Sequence, residues 1–65
     1  MTLREYRIKR KMTQSELAEA VGVTQAYIHA LETGKRQNPS LRVLMSIAKA
    51  LKVSPSKLLN EKEAV

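Results

Sequence analysis

The residues best able to do chemistry at a surface fall in one short run. Gln25, Ala26, Tyr27 and His29 follow directly on Thr24, and Lys35, Arg36 and Asn38 come a few positions later. They carry an amide, a methyl, a phenol, an imidazole, two fixed cations and a second amide. Such groups hydrogen-bond and pair with charge; they do not cleave bonds unaided. The 65 residues contain one His and no Cys, and all six acidic residues are Glu. A nucleophile with an adjacent base, or a cluster with metal-ligand spacing, cannot be assembled from that inventory. No catalytic residue, metal site or cofactor is therefore expected.

What this set can address is a polyanion with readable edges. Twelve Lys and Arg against six acidic residues give a net charge of +6, and nucleic acid is the commonest partner of so basic a small domain. Two Tyr are the whole aromatic supply, so stacking platforms for single strands or RNA are scarce. Duplex DNA is the better match. The Gln25 amide can donate to N7 of adenine and accept from its N6–H. Ala26 offers a methyl to thymine, Tyr27 suits a phosphate, and His29 suits a base edge or a phosphate. Lys35, Arg36 and Asn38 suit the sugar-phosphate backbone, and Arg4, Arg10 and Lys11 add attraction at longer range.

These side chains need a rigid mount, and the flanking residues supply one. Thr13 and Thr24 are good N-caps, and Glu16 stands three residues after Thr13 in the capping-box spacing. Gly22 falls where a helix must stop and turn through positive φ. Leu17, Ala18, Val21, Val23, Ile28 and Leu31 then form one apolar seam, with Ala18 small where the second helix approaches. The spacing predicts two helices, over about 14–21 and 25–32, joined by a tight turn. That is a helix-turn-helix, whose second helix enters the major groove. Gln14 and the free N–H groups at the start of the first of these helices form an anion site through the helix dipole.

Further helices frame this unit. Thr2 and Glu5 form a second capping-box pair before a helix over about 3–10, with Leu3, Tyr6 and Met12 on its buried side. Gly34 closes the recognition helix. Ser40 caps a fourth helix in which Leu41, Leu44, Ile47, Ala48 and Leu51 recur at spacings of three and four. Ser54 and Pro55 open a short fifth helix, docked by Leu58 and Leu59. The expected fold is all-α: a compact five-helix bundle over residues 1–60 with a flexible tail at 61–65. An aliphatic core without Trp or Phe suits it.

The ordered pattern Thr13-Gln14-x-Glu16-Leu17-Ala18, Val21-Gly22-Val23-Thr24, Ile28-x-x-Leu31-Glu32-x-Gly34-Lys35-Arg36 and Pro39-Ser40-Leu41-x-x-Leu44-x-x-Ile47-Ala48-x-x-Leu51-x-Val53 resembles the lambda-repressor-like, Cro-type helix-turn-helix family. The resemblance spans about residues 1–60. It implies a five-helix domain that binds double-stranded DNA, usually as a two-fold dimer on a palindromic site. It also implies that Gln14 contacts a phosphate and steadies Gln25, and that Arg7 pairs with Glu32. The sequence departs from the family at Lys11 and Lys52, where Gly is common; a lysine held at positive φ would cost about 1 kcal/mol. Ile8 stands where a polar residue is usual, and the loop before Pro39 looks about one residue longer than the commonest form.

A transcriptional regulator, most often a repressor, is the expected function. An antitoxin that controls its own promoter and the N-terminal domain of a longer regulator are the alternatives. Leu58 and Leu59 are adjacent on the last helix and cannot both face so small a core. One of them is expected in a homodimer contact. With no cysteine, no signal-like segment and no apolar run of membrane length, the expected compartment is the cytoplasm.

Overall fold

The computed structural model describes residues 2–36 and 39–58. Four α-helices follow in order: α1 (Leu3–Lys9), α2 (Gln14–Val21), α3 (Gln25–Thr33) and α4 (Leu41–Leu51). A helical turn at 55–58, here α5, comes last. The all-α, five-helix architecture expected from the sequence is the one observed.

Each of α1 to α4 starts where a hydroxyl takes up an orphan backbone N–H. Thr2 Oγ1 accepts from Glu5 N at 3.2 Å while Glu5 Oε1 accepts from Thr2 N at 2.6 Å. Thr13 and Glu16 repeat this capping box at 3.0 and 2.8 Å. Thr24 and Ser40 accept from Tyr27 N and Val43 N.

The ends of α1, α2 and α4 share a second device. The N–H groups of Met12, Val23 and Val53 return to the carbonyls of Arg7, Ala18 and Ala48, across a left-handed residue at Lys11, Gly22 and Lys52. Met12, Val23 and Val53 then pack on the core. This is the Schellman arrangement with its apolar anchor. Both lysines sit at φ 57°, so those helices end as they would with glycine, and backbone bonds plus the docked apolar residue hold the strained angle. At Gly22, φ is 85° and a Cβ would meet nothing within 4 Å; the glycine there relieves backbone strain and does not make room.

Leu17, Ala18, Val21, Ile28, Val43, Ile47, Ala48 and Leu51 are buried. α2 is the centre of the packing, against both α3 and α4, and α1 lies on α3. One phase differs from expectation: in α4 the inward residue of the first turn is Val43, while Leu41 is 70% exposed. Leu41 is the first helical residue, half a turn out of line with Val43, Ile47 and Leu51. Boundaries shift by one residue, α1 stopping at Lys9 and α3 continuing to Thr33.

Arg10 also departs from the reading of a distant cation. Its Nε donates to the Leu51 carbonyl at 2.9 Å, so a side chain following α1 satisfies an orphan carbonyl at the end of α4. Among the described residues no helix is long and apolar enough to cross a membrane.

Candidate nucleic-acid interface

The site is built outward from a buried ion pair. Arg7 projects from α1 under the end of α3, where its Nε meets Glu32 Oε2 at 2.6 Å and its Nη2 meets Glu32 Oε1 at 3.2 Å. Nη1 donates to the Met12 carbonyl at 2.7 Å. The side chains are 11% and 3% exposed, Arg7 and Glu32 respectively. Burial pushes the Glu32 carboxyl up. Hydrogen bonds from Arg7 and Gln14, with the charges of Arg7 and Arg4, outweigh that and hold it below the ordinary range. The pair implied by the family resemblance is present, and its two-pronged geometry fixes α1 against α3.

Gln14, the first residue of α2, joins this pair. Its Nε2 donates to Glu32 Oε1 at 3.0 Å and lies 3.3 Å from His29 Nδ1. This differs from the expectation that Gln14 steadies Gln25. The bonds run to α3 one and two turns beyond Gln25. Its Nε2 thus faces α3, within hydrogen-bonding distance of Glu32 and His29. An anion at the start of α2 would thus meet the backbone N–H groups of Gln14 and Ser15, which precede the first intrahelical bond.

The outer surface of α3 carries the residues singled out from the sequence. Thr24, Gln25, Ala26 and His29 are exposed. Among the described residues nothing hydrogen-bonds the Gln25 side chain, so its amide is available. Tyr27 is half-buried and packs on the core, with the Arg36 guanidinium 4.9 Å from its ring centroid. Its ring thus adds to the core and positions one of the cations. Lys35 and Arg36 are exposed beyond the left-handed Gly34, and the Arg36 N–H is tied to the Ala30 carbonyl at 3.1 Å. Asn38 lies outside the described residues. Leu58 is half-buried and packs on the core, which gives it a role within the monomer; Leu59 lies outside the described residues.

The surface that results is a rigid convex helix with free donors and acceptors at its N-terminal half and cations at its far end. Beneath it, one buried network holds three helices. It has the shape and charge to enter a duplex groove and lie along its phosphates.

Comparison with known proteins agrees with this geometry. A helix-turn-helix family model matches residues 3–58. The HTH-type transcriptional regulator SinR of Bacillus licheniformis is 38% identical over 61 residues, which is 94% of this chain and 55% of that protein. The chain thus spans about half the length of the SinR proteins it matches. An uncharacterised HTH-type transcriptional regulator of Methanothermobacter thermautotrophicus is 53% identical over 49 residues, covering 75% of this chain and 70% of that one. Among solved structures, the biofilm master regulator SinR in complex with DNA superposes with a TM-score of 0.83 at 35% identity, over 88% of this chain and 90% of that one. The clp gene regulator ClgR of Corynebacterium glutamicum gives a TM-score of 0.82 at 35% identity, over 95% and 65%. With the Thr13–Glu32 pattern, the capped and glycine-closed helix pair and these matches all in agreement, the chain belongs to the lambda-repressor-like, Cro-type helix-turn-helix family.

Proposed function

We propose that this protein binds double-stranded DNA as a transcriptional regulator, with α3 in the major groove, and that it acts as a repressor on a palindromic operator. The observation that carries the reading is the exposed row of Thr24, Gln25, Ala26 and His29 on a helix whose buried side is pinned by Arg7 and Glu32. Rigid mounting matters because a bidentate base contact tolerates little misplacement. Lys35, Arg36 and the N-terminus of α2 bracket the row and supply phosphate contacts, and Asn38 is proposed to add another. The SinR structure in complex with DNA supports the reading by likeness.

One helix reads only a few base pairs, so two-fold pairing is proposed as well. It would set two recognition helices about 34 Å apart. The half-burial of Leu58 leaves part of it open, and Leu58 together with Leu59 is the proposed contact. The proposed compartment is the cytoplasm.

Selection of bound duplexes from a random pool tests the whole reading. The expected result is a palindromic site at which Gln25→Ala loses about 1–3 kcal/mol at one base pair and relaxes preference there. Unchanged relative affinities across site variants would remove the reading role of Gln25. Failure to select any sequence would remove the function. Sedimentation of wild type and Leu59→Glu with the selected duplex checks the pairing; equal, non-cooperative filling by both would refute it.

A further inference from the structure

The two contacts made by Gln14 decide the chemistry of His29. Glu32, held ionised by Arg7, can only accept hydrogen bonds. The Gln14 atom 3.0 Å from Glu32 Oε1 is therefore the amide nitrogen, and its orientation is chemically forced. That same Nε2 lies 3.3 Å from His29 Nδ1. Both hydrogens on Nε2 are donors, so Nδ1 must accept with its lone pair. A neutral imidazole that accepts at Nδ1 carries its proton on Nε2.

We infer that the chain Arg7–Glu32–Gln14 locks neutral His29 in its Nε2–H tautomer, making it a donor aimed at a hydrogen-bond acceptor on duplex DNA. The acceptors of that chemistry are purine N7, guanine O6 and thymine O4 in the groove, and a phosphate oxygen. This rests on the DNA-binding reading given above and goes beyond it by naming what His29 takes. His29 is exposed and four residues beyond Gln25, hence on the same stripe of α3. Gln14 has no proton left to give, and its free Oε1 cannot donate to an anion or to guanine N7. The imidazole supplies the donor that the amide does not. Gln14 and Glu32 are positioning residues: they act on DNA through His29. The amino groups of cytosine are disfavoured opposite His29, since two donors would then face each other.

Two measurements test this. In the long-range proton–nitrogen spectrum of the neutral imidazole, wild type should show Nδ1 unprotonated and Nε2 protonated. Gln14→Met, of similar length and without donors, should move both nitrogen signals toward the tautomer mixture of a histidine peptide, with thermal melting confirming its fold. A wild-type spectrum with the proton on Nδ1 overturns the inference without any variant. For contact, single 7-deazapurine, 2-aminopurine-for-guanine, 5-methyl-2-pyrimidinone-for-thymine and methylphosphonate replacements are scanned through the selected duplex. One position should cost wild type about ten-fold in affinity and cost His29→Ala nothing further; a base-analogue hit identifies a base acceptor and a methylphosphonate hit a phosphate. Equal losses in both proteins at every position, or Gln14→Met signals identical to wild type, would overturn the inference while leaving DNA binding intact. If wild type selects no duplex at all, the proposed function fails, and the DNA contact with it.

Discussion

Removing one member of the Arg7–Glu32 pair should destabilise the fold more than removing both. In wild type the guanidinium meets both carboxylate oxygens and one backbone carbonyl, and the Glu32 side chain is 3% exposed. Arg7→Leu leaves a desolvated carboxylate with only the Gln14 amide. Glu32→Leu leaves a guanidinium with only the Met12 carbonyl. An uncompensated buried charge costs about 3–5 kcal/mol. The whole stability of a domain this size is only about 3–10 kcal/mol, so either single variant consumes much of it. In melting temperature the loss is on the order of 10–40 °C, at about 4–8 °C per kcal/mol. The double variant replaces both charges with apolar groups of similar volume and should recover most of that loss. Urea unfolding of the four proteins, followed by circular dichroism with sucrose present to keep the single variants folded, gives the coupling energy. Additive effects would show that the pair holds nothing together and would refute the argument that it anchors α3.

The same carboxylate sets an acid limit. The folded state lowers the Glu32 value below its ordinary 4.5, so its contribution is fully present above that value and is lost as pH falls through the folded one. Stability measured against pH should drop on this limb in wild type and flatten in Glu32→Gln; parallel curves would exclude Glu32 as the cause. Replacing Lys35 or Arg36 with Ala should weaken binding to every duplex alike and reduce the slope of log affinity against log salt by about one for each phosphate lost. An unchanged slope in both would place the two cations away from the backbone. Lys52→Gly should raise stability by about 0.5–1 kcal/mol, because φ 57° strains a side-chain-bearing residue there; a loss on urea unfolding would show that the lysine side chain contributes more than its backbone costs.

The sequence by itself determined the parts of this protein that are settled within a few residues. Thr13 and Glu16 must close a helix start, and Gly22 and Gly34 must end one, since each partner lies within one turn of the other. The apolar seam from Leu17 to Leu31 paired α2 with α3 for the same reason. The reading row from Thr24 to His29 followed once α3 had a start. Even Arg7 and Glu32 were legible, but through family likeness; nothing local joins residues 25 apart. Only tertiary packing decided the rest. Leu41 and Val43 were both available to the core, and the way α4 lies on α2 selected Val43. Arg10 became a cap because the end of α4 arrives beside it, 41 residues on. Gln14 turned to Glu32 and His29 and away from Gln25 because the crossing of α2 over α3, which no spacing specifies, brings those atoms within reach. Periodicity and caps act over a turn of helix, whereas a side chain's hydrogen-bond partner across helices depends on angles that exist only after the whole bundle has closed.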